Sequence, residues 1–259
     1  MKIRKFDFIA LLSVAGLLVL TVLAWFFLDA RFFSWLCRHR DGLPDNHILK
    51  IFEMAGKAWV VIWLLMCWAW ATGRLRPSVV VLMALVFVAA GVFSVKQVVR
   101  RPRPYDVFQA APADYGRSDL IRSWSFPSGD TATIFAVTFA LSAFVRRRWL
   151  TLLLAISTGI GLLRMLVFAH YLSDVLAGAA VGVVSGLLAL KINEKWDFLR
   201  SLDVARYRRI ALLGVLLLPV MAGLSESWGY TFDMLTTYGL LVVIIFVAWK
   251  AAKRFYQKN

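Results

Sequence analysis

Eight apolar runs constrain this chain more than any other feature. They cover Phe8–Leu28, Ala58–Thr72, Ser78–Val95, Thr131–Val145, Leu150–Ala169, Val175–Leu190, Ile210–Leu224 and Met234–Trp249. A helix needs about 20 apolar residues to cross the hydrocarbon of a bilayer. The first run has 21. Several others are shorter, a deficit that tilt and local thinning absorb. The composition agrees: 61% of residues are hydrophobic and 17% charged, against about half and a quarter in soluble domains. The expectation is an all-α, polytopic membrane protein. The N-terminus starts basic and turns apolar, as a secretion signal does, but its run exceeds the usual signal core of about 7–15 residues. With no convincing cleavage site, it reads as a retained helix. Residues 30–57 are too polar to span and read as an amphipathic segment in the interface.

The net charge of +15 raises nucleic acid or anionic lipid as partners, and the placement of the charge decides. With the N-terminus inside, the inner segments hold 18 of the 30 Lys and Arg, and the outer ones 11 of the 15 acids. Basic residues mark helix ends, the positive-inside pattern, rather than the single stripe of a nucleic-acid binder. One outer loop, residues 96–106 ("KQVVRRPRPYD"), is basic where that rule expects little charge. Cys37 and Cys67 do not suggest a disulfide, since Cys67 lies inside an apolar run.

In that orientation Lys96, Asp130, Arg164, His170 and Asp174 all fall at outer helix ends. Ionisable groups at apolar depth are costly and usually functional. His170 and Asp174 are four apart and share a helix face. A carboxylate so placed holds one imidazole nitrogen and leaves the other free as nucleophile or base. Lys96, Arg103 and Arg164 suit phosphate. "PSG" (127–129) opens a helix and offers backbone N–H groups at its positive end. A phosphorylated lipid presented from the outer face is the natural substrate.

These residues resemble the type-2 phosphatidic acid phosphatase superfamily, which shares its core with vanadium haloperoxidases. The family's first block is Lys, six residues, Arg-Pro; here Lys96, Arg103 and Pro104. Its second is Pro-Ser-Gly-His; here Pro127 to Asp130. Its third is Ser-Arg, five residues, His, three residues, Asp; here Arg164, His170 and Asp174, with Leu163 in place of the Ser. The resemblance implies a six-helix phosphatase core, residues 1–209, followed by two further transmembrane helices and a basic tail, residues 210–259. It also implies that His170 attacks phosphorus to form a phosphohistidine, that Asp174 orients it, and that Lys96, Arg103, Arg164, Ser128 and Gly129 hold the phosphoryl oxygens. No metal or other cofactor is implied.

Asp130 stands where the family has the histidine that protonates the leaving group. Three readings are open. Asp130 is itself the acid, which needs a carboxyl pKa far above about 3.9. Or no acid is needed, because the substrate is a diphosphate whose leaving phosphate has a second pKa of about 6. Or Asp130 caps its helix, and the site is slow or only binds. The function expected is hydrolysis of a lipid phosphate or diphosphate (polyprenyl diphosphate, lipid A-type or phosphatidic acid-like). A lipid phosphotransferase and a non-catalytic phospholipid-binding homologue are the alternatives. The partner is a membrane phospholipid or isoprenoid lipid, not nucleic acid. In a bacterium the place is the inner membrane, with the site facing the periplasm.

Overall fold

The computed structural model describes residues 2–39, 57–72, 76–108 and 124–195. All regular structure among them is helical. Helix α1 spans Lys2–Leu23 and runs through a π-helical turn, Ala24–Leu28, into α2, Asp29–Arg38. Then come α3, Ala58–Thr72; α4, Arg76–Val99; a short α5, Pro104–Phe108; α6, Gly129–Leu141; α7, Arg147–Leu166; and α8, Leu172–Lys195. Among the described residues, four stretches are long and apolar enough to cross a membrane: Leu12–Arg38, Arg76–Phe108, Arg147–Leu166 and Leu172–Lys195. The all-α, polytopic membrane architecture expected from the apolar runs is therefore present. The two last expected spans, from Ile210, lie outside the described residues.

The chain divides into two units, residues 1–58 with 79–196, and residues 59–78 with 197–259. In the second, Ser78 Oγ donates to the Leu65 carbonyl at 3.4 Å. The first holds every residue of the site and is built around α8, which packs on α1, α6, α7 and the π turn. Its contact with α6 follows from three glycines at four-residue spacing. A Cβ on Gly178 would lie 2.5 Å from the Ser128 carbonyl oxygen, and one on Gly186 2.7 Å from that of Ala136. One on Gly182 would collide with the Ala132 carbonyl. Only glycine lets the two backbones approach this closely, the small-residue packing common between membrane helices. Thr138 and Ser157 tie α6 to α7 with a 2.8 Å hydroxyl contact. On the outside of this unit Phe26, Phe27, Val86, Phe93, Leu152 and Val184 remain exposed, as apolar side chains facing lipid do.

Several boundaries differ from the sequence expectation, and two of them have a clear physical reason. The first span does not end at Leu28 but continues to Arg38, because the polar face of α2 turns out while Asp29, Phe33 and Leu36 are buried. Residues 30–38 thus continue the first helix with one face buried, and residues 40–56 lie outside the described residues. Helix α6 stops at Leu141 rather than Val145, where Ser142 Oγ bonds back to the Phe139 carbonyl at 2.6 Å and the chain turns through Phe144. Such a side chain competes with the backbone for its own carbonyls.

Candidate active site

The spacing between Arg164 and His170 is set by how α7 ends. Ala169 N–H reaches back to the Arg164 carbonyl at 3.1 Å and Phe168 N–H to that of Met165 at 2.9 Å. These are the two bonds of a Schellman cap. Its left-handed position, φ 56°, is held by Phe168, where glycine is usual. A bulky residue there costs about 1–2 kcal/mol. Burying a Phe side chain returns about 1.5–3 kcal/mol. The Phe168 ring is 1% exposed and packs edge-on against Phe33 at 5.7 Å, in a cluster with Leu36, Met165, Tyr171 and Val175. Burial wins, and the cap brings the His170 N–H to the Arg164 carbonyl at 3.2 Å. Five residues between Arg and His are the length of this turn.

His170 is 2% exposed, and its Nδ1 faces Asp174 Oδ2 at 3.6 Å. Burial lowers its pKa to about 4, against the opposing pull of Asp174. The imidazole is therefore neutral at physiological pH. With its proton on Nδ1, toward Asp174, Nε2 keeps a lone pair. Asp174 is fully buried, and both its oxygens are engaged. Oδ2 accepts from Tyr171 N–H at 2.8 Å and from Ser125 Oγ. Oδ1 accepts from Arg101 Nη1 at 2.9 Å.

The remaining expected residues gather around this pair unequally. Arg103 Nη1 donates to the Ala169 carbonyl at 3.4 Å, next to His170. Lys96 Nζ donates to the Trp124 carbonyl, pinning the segment that leads to the Pro127–Asp130 loop. Ser128 is buried and acts as N-cap of α6, its Oγ accepting from Thr131 N at 3.4 Å and Thr131 Oγ1 at 2.9 Å. Its own N–H donates to the Asp174 carbonyl at 3.0 Å, so the loop is fastened directly to the His–Asp segment. Gly129 is half-buried in the first turn of α6, where backbone N–H groups suit an anion. Asp130, with its side chain 18% exposed, pairs with Arg164 Nη2 at 3.1 Å. The geometry thus gives a neutral imidazole backed by a carboxylate, with two guanidinium groups and a helix N-terminus around it. His39, the other described histidine, instead stacks on Trp35 at 4.8 Å.

Two charged residues in this network carry no sequence motif. Arg101 reaches Asp174 and, through Nη2, Asp29 Oδ2 at 2.8 Å. Its guanidinium lies between the rings of Trp25, at 3.9 Å, and Tyr171, at 3.7 Å. The block spacing selects Arg103 out of "RRPRP" and passes over Arg101. Asp29 stands at the edge of an apolar run, where an acid reads as the end of a span.

Residues 77–198 match the family model described as the PAP2 superfamily. Among curated proteins, a lipid A 1-phosphatase of Rhizobium johnstonii is 37% identical over 112 residues, 41% of this chain and 44% of that protein. The bacitracin transport permease protein BcrC of Bacillus licheniformis is 37% identical over 79 residues, 30% of this chain and 38% of that one. The chain thus spans less than half the length of these curated relatives. Two solved structures share the fold. The crystal structure of Aquifex aeolicus LpxE aligns with a TM-score of 0.51 at 24% identity, covering 64% of this chain and 96% of that one. A transmembrane PAP2-type phosphatidylglycerolphosphate phosphatase from Bacillus subtilis aligns with a TM-score of 0.53 at 16% identity, covering 72% and 96%. Residues 77–198, which contain all three blocks of the phosphate site, are thus similar to the PAP2 superfamily.

Proposed function

We propose that this protein is a membrane lipid phosphatase acting through a phosphohistidine on His170, with a lipid diphosphate as preferred substrate. The observation that carries the reading is the buried imidazole whose Nδ1 faces the Asp174 carboxylate at 3.6 Å. Nε2 attacks phosphorus and forms a P–N bond while the P–O bond to the leaving group breaks. Arg103, Arg164, Lys96 and the Gly129 amide lie where charge on the phosphoryl oxygens needs support. Asp174 stabilises the imidazolium character that develops on His170. Water then adds its oxygen to phosphorus. The P–N electron pair returns to Nε2, and phosphate leaves with one water proton, the other going to solvent.

The preference for a diphosphate rests on Asp130. A carboxylate that accepts from Arg164 at 3.1 Å is an ionised acceptor and has no proton to give. An alkoxide leaving group requires that proton; a phosphate monoester leaving from a diphosphate does not. This favours the second reading of Asp130 over the first. The site lies at the outer ends of its helices, the periplasmic side if the cell is bacterial. The relatives named as phosphatases of lipid A and of phosphatidylglycerolphosphate support lipid phosphate as the substrate class.

The test is phosphate release by the detergent-purified chain from a polyprenyl diphosphate, a lipid A-type diphosphate and phosphatidic acid. Loss of a general acid costs about 10²–10⁴-fold, so the diphosphates should exceed the monoester by at least about 10²-fold. Equal turnover of phosphatidic acid would overturn the leaving-group reading.

A further inference from the structure

The inward-facing positions of the first helix follow a 3- and 4-residue rhythm with one exception. Val14, Leu17, Thr21 and Ala24 are less exposed than their neighbours, and Asp29, Phe33 and Leu36 are buried. The step from Ala24 to Asp29 is five, and it falls in the π-helical turn Ala24–Leu28. In an uninterrupted α-helix the position four after Ala24, Leu28, would face inward. Asp29 would then be turned away by about 100°. Leu28 is instead 48% exposed and Asp29 2%. The π turn therefore exchanges a leucine for a buried carboxylate at the one place where the first helix passes the site. Single π turns inside helices are found mostly at functional positions.

What Asp29 meets there is fully specified. Its Oδ2 accepts from Arg101 Nη2 at 2.8 Å and from Ser173 Oγ at 2.5 Å. Its Oδ1 accepts from Ser173 N–H at 3.2 Å. Arg101 in turn donates to Ser173 Oγ at 2.6 Å and to Asp174 Oδ1 at 2.9 Å. One guanidinium is thus shared between two buried carboxylates. A buried arginine with one carboxylate would neutralise it. A second carboxylate leaves the cluster with one net negative charge, next to the imidazole that becomes cationic in character when it attacks.

We propose that Asp29 and Arg101 are positioning residues of the phosphatase site. Arg101 fixes the Asp174 carboxylate in its plane, and Asp29 draws off part of the Arg101 charge so that Asp174 remains a strong partner for His170. This rests on the phosphatase reading above. It assigns a catalytic consequence to the first transmembrane helix, which holds none of the three motif blocks.

The test uses the full chain with a polyprenyl diphosphate, comparing the parent with Asp29→Asn and Arg101→Lys. Asparagine keeps the shape and can still accept from Ser173, but lacks the charge. Lysine keeps the charge but cannot bridge two carboxylates as a planar fork does. Both are assayed well below their measured melting temperatures, so that only folded protein is compared. The expected result is a kcat lowered about tenfold or more in each variant, with KM within about twofold, because both residues are engaged with Ser173 and Asp174 behind the imidazole. An active parent with both variants at parental kcat would overturn this proposal alone. A kcat loss that disappears once folded fraction is matched would do the same, since it would mark a purely structural pair. A parent that releases no phosphate from any of the lipids would overturn the phosphatase reading, and this proposal with it.

Discussion

Two aspartate–arginine clusters lie in this site, and they are built on opposite plans. Asp130 and Arg164 meet at the mouth, where the Asp130 side chain is 18% exposed. Asp29, Arg101 and Asp174 meet behind His170, with both aspartates at 2% exposure or less. In the rear cluster every carboxylate oxygen has a donor, and the guanidinium is clamped between two rings. Breaking a buried, saturated cluster by removing one partner costs about 3–5 kcal/mol, so this one holds its shape. The front pair joins a buried guanidinium, 4% exposed, to a partly exposed carboxylate. An incoming phosphoryl group would compete with Asp130 for Arg164. The rear cluster is saturated scaffold; the front one keeps a partly exposed carboxylate, and it holds Asp130, where the sequence departs from the Pro-Ser-Gly-His block.

The contrast can be broken at several points. His170→Ala removes the nucleophile that the rear cluster serves, and phosphate release should fall at least about 10³-fold. Phosphate assays on folded variant protein check this. Asp130→His acts on the front cluster. It should raise turnover of phosphatidic acid by about 10- to 100-fold, within the span of general acid catalysis, and leave diphosphate turnover within a few fold. If phosphatidic acid turnover stays flat, Asp130 is not what limits monoesters. Gly182→Leu pushes a side chain into the α6 backbone and shifts the Ser128–Asp130 loop against Asp174. A destabilisation of about 1–3 kcal/mol or more is expected, read as a lower melting temperature together with lost activity.

Phe168→Gly sharpens the account of the turn that joins the two clusters. Relief of left-handed strain returns about 1–2 kcal/mol, but losing a buried ring costs about 3–5 kcal/mol. The net expectation is a loss of about 1–4 kcal/mol, measured by thermal or denaturant unfolding. If the variant were more stable than the parent, strain and not packing would dominate there. The smallest effect is a titration. His170, with its pKa lowered to about 4, should keep a neutral ring from about pH 7 down to about 5 in nitrogen NMR of labelled histidine. Its unfolded value is about 6.5, so the folded state takes up this proton later than the unfolded one. The associated stability is present above about pH 6.5 and declines as pH falls toward about 4.

Much of this is legible in the residues. The apolar runs announce a helical membrane protein, and the run Ala58–Thr72 matches its helix to the residue. The third block is legible because its spacing is physical: five residues span the Schellman turn from Arg164, and three more put Asp174 on the face of His170. Ser128 reads as a phosphate ligand but also caps α6, a role that depends on Thr131 and cannot be seen without the helix start. Arg101 and Asp29 escape a reading of the sequence because their partners are 73 and 144 residues away in the chain. No local pattern encodes such contacts. The π turn is hidden for a simpler reason. A one-residue register shift in an all-apolar stretch changes no motif, since every residue of "AWFFL" is acceptable to lipid.

The most direct test of the central claim is covalent. The full chain would be mixed with a lipid diphosphate labelled in its terminal phosphate, quenched rapidly in alkaline detergent, and compared with His170→Ala. The account predicts label on the parent protein, discharged by acid as a phosphoramidate is, and none on the variant. Label retained on His170→Ala, or undiminished phosphate release by that variant, would contradict it.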